Sequence, residues 1–159
     1  MLPERQLASD VFYVEPGQLL VSTEPCILRT ILGSCVSVCL YDAELRMGGM
    51  NHFMLPRALS QDEQSFRHGD RALAALVTRL ERLGSERRHL SASVFGGARV
   101  LASMSDVMHL GRRNAEYALD WLAEAGIPVV NSELLGNHGR RLDFHVDSGA
   151  TSVRMLGGQ

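Results

Sequence analysis

The clearest periodicity in the chain lies within residues 66–83, where Leu73, Leu76, Val77, Leu80 and Leu83 recur at three- and four-residue intervals. That spacing gathers them on one face of a helix, and Gly84 follows as its stop. A second amphipathic pattern predicts a helix over about 112–125, with Ala115, Ala118, Leu119 and Leu122 turned inward and Gly126 ending it. The rest of the pattern has the shorter runs of β-structure. Residues 19–22 and 26–31 are β-type runs parted by the turn signal Thr23-Glu24-Pro25. Residues 90–95 alternate as a strand into Gly96-Gly97-Ala98, and the Ser- and Met-rich stretch up to Leu110 reads as loop or short helix. Pro128 opens a strand at Val129-Val130-Asn131, and residues 142–146 and 152–156 form strands around the turn Asp147-Ser148-Gly149. Many strands with only two main helices predict an α+β layered fold rather than a doubly wound sheet, where each strand would be followed by a helix.

Two further apolar runs carry the chemistry. Leu32-Gly33-Ser34-Cys35-Val36-Ser37-Val38 and Gly48-Gly49-Met50-Asn51-His52-Phe53-Met54-Leu55-Pro56 both read as strands, joined by the polar turn Asp42-Ala43-Glu44-Leu45. A turn centred there lies midway between Cys35 and His52, so a hairpin would set the two opposite each other, with Cβ atoms roughly 4.5–5.5 Å apart. A thiol and an imidazole so placed make a nucleophile–base pair. The N–H groups around Gly33, Ser34 and Cys35 could serve a developing oxyanion. Thr30, Ser34 and Asn51 are the nearby groups that could orient the imidazole; alternation turns Asn51 away from the face of His52, which favours Thr30.

The competing reading of Cys35 is a small buried hydrophobe, the common fate of a free cysteine. Cys39 fits that reading better, being four residues further along the same face and about 13 Å from Cys35 at strand rise. The same distance argues against one zinc ion reaching both thiols, and neither Cys26 nor the histidines supply the short paired spacing of a metal motif. A metal site is therefore not expected.

Composition narrows the function classes. The 159 residues suffice for one domain spanning 1–159, and 45% hydrophobic with 21% charged residues is a globular composition. No apolar stretch is long enough to cross a bilayer and the start lacks a signal peptide's pattern, so a cytoplasmic protein is expected. All sixteen basic residues are arginines, which excludes chemistry that needs a lysine. A net charge of −2 gives no general attraction for nucleic acid. The pairs Arg87-Arg88, Arg112-Arg113 and Arg140-Arg141 are expected in solvent. Three cysteines make no disulfide framework and leave free thiols.

Together, the runs 32–42 and 49–56, Phe95-Gly96-Gly97-Ala98, Leu110-Gly111-Arg112-Arg113-Asn114 and Gly139-Arg140-Arg141-Leu142-Asp143-Phe144 resemble the chemoreceptor glutamine deamidase family, CheD, in order along almost the whole chain. The resemblance implies a layered α/β sandwich and a cofactor-independent cysteine hydrolase. Such an enzyme converts glutamine side chains in the cytoplasmic domain of methyl-accepting chemotaxis receptors to glutamate through a thioester. Cys35 and His52 match the family's nucleophile and base, and Thr30 its third catalytic residue. The resemblance also implies CheC, a response-regulator phosphatase, as a possible partner; a non-catalytic regulatory binding protein and a receptor methylesterase are the alternatives. One departure stands out: where the family has an Asp-x-Gly-Gly turn, this chain reads Glu133-Leu134-Leu135-Gly136. Leu135 is expected to resist the positive φ a glycine tolerates and so to rearrange this loop.

Overall fold

A computed structural model describes residues 10–58, 65–99 and 109–157. Their strands form two sheets. The four-stranded sheet has the order β1-β3-β8-β9, and the five-stranded sheet has the order β2-β5-β4-β6-β7. In chain order these strands are β1 (Val11–Tyr13), β2 (Leu19–Ser22), β3 (Ile27–Leu32), β4 (Val36–Asp42), β5 (Met47–Asn51), β6 (Leu90–Gly96), β7 (Val129–Leu134), β8 (Arg140–His145) and β9 (Thr151–Met155). The helices α1 (Gly69–Arg82) and α2 (Leu110–Ala125) both pack on the five-stranded sheet, α1 over β2 and β5, α2 over β6 and β4. The result is an α+β sandwich of helices, sheet and sheet, the class expected from the strand-rich pattern.

Alternation along the strands builds two cores. On β4, Val36, Val38 and Leu40 face the helices and meet Leu73, Leu76, Val77 and Leu80 of α1 with Ala115, Ala118 and Leu122 of α2. The alternate residues Cys35 and Cys39 face the second sheet, where Leu28, Leu32, Leu142 and Phe144 complete the inter-sheet core. Because β4 is buried on both faces, it reads as an almost unbroken apolar run. Beside it, Gly48 and Gly49 allow close packing. A Cβ on Gly49 would lie 2.6 Å from Val21 Cγ1 and 2.7 Å from the Leu20 carbonyl oxygen.

Most expected elements are present. The first helix begins at Gly69 rather than near Phe66 and ends at Arg82, leaving Leu83 46% exposed as its cap. The second ends on Gly126 in the left-handed conformation, as expected. The stretch expected to be loop or short helix after Gly97 lies largely outside the described residues. One element was not expected and one expectation is corrected. β1, a three-residue strand paired in parallel with β3, has no counterpart in the pattern because all three residues are exposed. Arg140, expected in solvent, is 1% exposed and one of the largest fully buried side chains.

Candidate active site

The Cys35–His52 hairpin forms with a register two residues from the expected one. β4 and β5 pair Cys39 with Met50 and Asp42 with Met47, and the same register continues to a bridge between Val36 and Phe53. Cys35 therefore lies across from Met54, and His52 across from Ser37. The cause is the turn. Asp42 stays in the strand because its buried carboxylate accepts the N–H groups of Glu44 and Leu45, each at 3.0 Å, and the Ser85 hydroxyl at 2.5 Å. Arg46, with φ of 55°, closes the turn in its place. Cys35 and His52 are diagonal neighbours on one face, a relation that sets Cα positions roughly 7–8 Å apart.

That face looks into the space between the sheets. Cys35 shares it with Cys39, His52 with Met50, and Thr30 of β3 reaches it from the opposite sheet between Leu28 and Leu32. Cys35 is partly buried, while Cys26 and Cys39 are 4% and 2% exposed. His52 and Thr30 are each 2% exposed. The backbone of His52 is fixed by the turn before β2, its carbonyl accepting Gly17 N–H at 2.9 Å and its N–H donating to Gln18 O at 3.2 Å.

The tautomer of His52 follows from one hydroxyl proton. The Thr30 hydroxyl lies 2.6 Å from the Val14 carbonyl oxygen and 2.8 Å from His52 Nδ1. The carbonyl can only accept, so Thr30 donates to Val14 and its Oγ1 receives the Nδ1 proton. Nδ1–H also lies 3.3 Å from the same carbonyl. This leaves Nε2 as the basic nitrogen, and Nε2 is buried without a hydrogen-bond partner among the described residues. Asn51 takes no part: its Oδ1 accepts Val38 N–H at 2.8 Å, in place of a ladder bond.

Burial sets the charge of both groups. It pushes the Cys35 thiol above its ordinary pKa, and it pushes His52 below its own, against the opposing effect of the Val14 carbonyl. The resting arrangement is therefore a neutral thiol and a neutral imidazole, with no hydrogen bond between them.

The loop before β4 has an unusual division of labour. Its three carbonyls are all engaged: Gly33 O accepts Ala98 N–H at 2.9 Å, Cys35 O accepts Gly97 N–H at 2.9 Å, and Ser34 O accepts Asn114 Nδ2–H at 3.0 Å. The N–H groups of Gly33, Ser34 and Cys35 donate to none of the described residues. Gly96 permits the approach, since a Cβ there would sit 2.2 Å from Cys35 O.

The loop with the altered turn supports this segment. Leu135 adopts φ of 70°, so the expected resistance is overcome rather than avoided. Its N–H donates to Gly96 O at 2.8 Å, and the buried Arg140 guanidinium donates to the carbonyls of Glu133, at 2.6 Å, and Leu135. These bonds and the packing of Leu135 on the helix-side core offset a left-handed cost of about 1–2 kcal/mol. Neither Arg140 nor Asn114 was singled out by the sequence pattern; both fall within motifs whose polar residues look solvated until their neighbours are known.

Comparison with known proteins gives the family. Residues 54–155 match the family model described as CheD chemotactic sensory transduction. The chain belongs to the CheD family. It is 47% identical over 144 residues to the Anaeromyxobacter dehalogenans protein named "Probable chemoreceptor glutamine deamidase CheD 1", covering 91% of this chain and 84% of that one. The CheD 1 proteins of Shewanella oneidensis and Albidiferax ferrireducens are 38% and 42% identical, and the chain covers 76% and 62% of their lengths. The CheD family model starts two residues beyond His52, but a 144-residue match within 159 residues necessarily spans Cys35 and His52. Among solved structures, Bacillus licheniformis hypothetical protein YfiH is similar with a TM-score of 0.49 and 15% identity, over 82% of this chain and 61% of that one. Among the described residues no helix is long and apolar enough to cross a membrane.

Proposed function

We propose that this chain, acting as one domain over 1–159, deamidates glutamine side chains in the cytoplasmic part of chemotaxis receptors, with Cys35 as nucleophile, His52 as base and Thr30 as its orienter. The observation that carries the reading is the Thr30–His52 hydrogen bond at 2.8 Å, which leaves Nε2 basic on the face it shares with Cys35. Membership of the CheD family supplies the substrate class.

In this mechanism the Cys35 sulfur attacks the glutamine Cδ as its proton passes to His52 Nε2. The carbonyl oxygen becomes an oxyanion facing the N–H groups of Ser34 and Cys35, which together with Gly33 form the backbone support. The C–N bond then breaks, ammonia departs with the proton from His52, and a thioester remains. Water attacks the thioester, giving a proton to Nε2, and the C–S bond breaks to release glutamate and regenerate the thiol. Every proton is handled by His52, so the chain's own residues suffice for the cycle.

A cytoplasmic location accompanies this substrate. A CheC-type phosphatase is a further proposed partner, carried by the family resemblance alone. A receptor methylesterase would pass through the same thioester but would begin from a methyl ester. The experiment that tests the thioester is incubation of a receptor cytoplasmic fragment with the protein in hydroxylamine. Glutamyl hydroxamate at the modified positions, absent with Cys35→Ala, supports the path; glutamate forming at an unchanged rate with Cys35→Ala refutes it.

A further inference from the structure

We infer that Asn114 is a positioning residue that holds the oxyanion-binding amide of Cys35 in place and joins the cysteine loop to the histidine strand. The inference rests on the deamidase reading above and extends it to a residue on α2, distant in sequence from the site.

Asn114 is 0% exposed and its one Nδ2 nitrogen serves two carbonyls, Ser34 O at 3.0 Å and Met54 O at 2.9 Å. Ser34 precedes Cys35, and Met54 lies two residues after His52. The bonds decide the amide's orientation, because the opposite flip would set Oδ1 against two carbonyl oxygens. Both Nδ2 protons are thereby used, and Oδ1 is left buried without a hydrogen-bond partner among the described residues. A buried amide with an unused acceptor is costly, so the two donated bonds are what this residue contributes.

The consequence for Cys35 follows from peptide geometry. Ser34 C=O and Cys35 N–H belong to one peptide unit, and in a trans peptide they point in opposite directions. Fixing the carbonyl on Asn114 fixes the N–H away from it. Ala98 N–H does the same for the Gly33–Ser34 unit through Gly33 O, at 2.9 Å. Two adjacent amides are thus set in direction by what their carbonyls bind, while they themselves find no acceptor among the described residues.

α2 is built to bring Asn114 there. Gly111, one helical turn earlier, lies on the same buried face, and a Cβ on it would sit 2.5 Å from Gly97 O and 2.6 Å from Ala98 O. Only glycine lets the helix approach this closely. The Gly111-x-x-Asn114 spacing therefore couples close approach with a two-donor side chain.

The test compares wild type, Asn114→Ala and Asn114→Leu in three assays at a temperature below their unfolding transitions. The first is receptor-fragment deamidation. The second is Cys35 alkylation by iodoacetamide, a displacement with no oxyanion. The third is inhibition by a receptor peptide carrying an aldehyde in place of the glutamine amide, which forms a hemithioacetal. Losing an oxyanion donor costs roughly 10²–10³-fold in kcat, so both variants should lose about 10- to 1000-fold in kcat and weaken aldehyde inhibition comparably. KM and the alkylation rate should change by less than about threefold, well short of that loss. Unchanged kcat and aldehyde affinity would overturn the inference, as would alkylation falling in parallel with both, since that signature belongs to general loss of structure. If wild type fails to deamidate, the functional reading falls, while the aldehyde-to-alkylation ratio still tests Asn114.

Discussion

Thr30 on β3 and His52, the residue that follows β5 of the other sheet, are joined by a hydrogen bond of 2.8 Å whose direction is set by the Val14 carbonyl beside them. The bond gives the imidazole a single tautomer before any substrate arrives. It also spans the inter-sheet core, so the imidazole is oriented by the fold itself. A third-residue role for Thr30 requires only its hydroxyl, since the β-branched stem packs as any strand residue would.

Replacing Thr30 by Val keeps the shape and removes the hydroxyl. General acid–base catalysis supplies about 10²–10⁴-fold, and disordering the base should forfeit roughly 10- to 100-fold of it in kcat. Thr30→Ser should recover most of the loss. Deamidation kinetics of the two variants, with melting curves to show that both are folded, check this. Equal rates for wild type and Thr30→Val would exclude the orienting role.

The burial of Cys35 and His52 fixes the form of the pH dependence. In the proposed mechanism the active form is the neutral pair, so kcat/KM should fall when His52 is protonated, at a pH below the ordinary histidine value of about 6.5, since its pKa is lowered. It falls again when the thiol ionises, above about 8.5, since that pKa is raised. Iodoacetamide alkylation should rise only along the upper limb, and intact mass should show one adduct on the native protein, because Cys26 and Cys39 are buried. A reactive plateau extending down to acidic pH would instead reveal a thiolate–imidazolium pair.

Arg140 is a structural cation. Arg140→Leu leaves the carbonyls of Glu133 and Leu135 without the guanidinium donor and removes one of the supports of Leu135 at positive φ. The expected loss is about 1–3 kcal/mol, a fall of roughly 3–10 °C in Tm for a chain of this size. A Tm within a degree of wild type would show that the loop does not depend on the guanidinium.

Gly49→Ala tests the packing of β5. Its Cβ would meet Val21, Leu20 O and Leu76 Cδ1 at 2.9 Å or less. Overpacking of this kind costs about 1–3 kcal/mol, readable as a lower denaturation midpoint at unchanged slope.

The pattern of apolar residues carried most of the fold because both helices and the two hairpins bury a regular face. What it missed depends on contacts distant in sequence. β1 is recognisable only from its pairing with β3. The two-residue register difference at Cys35 comes from Asp42, whose carboxylate finds Ser85 across the chain and keeps Asp42 in its strand. Arg140 looks like a surface arginine until the loop at 133–136 is known to fold over it. In the candidate site, the proximity of Cys35, His52 and Thr30 was legible because they lie close together in sequence. Asn114 was not, since it acts through carbonyls, and carbonyls leave no mark on the sequence.

The most direct measurement of the deamidase reading is peptide mass spectrometry of a receptor cytoplasmic fragment after incubation with wild type, Cys35→Ala and His52→Ala. Wild type should add about one dalton at defined glutamines, the change from amide to acid, and both variants should leave the fragment unmodified, as expected of a nucleophile and its base. Conversion at the wild-type rate by Cys35→Ala, or no conversion by wild type that still binds the fragment, would contradict it.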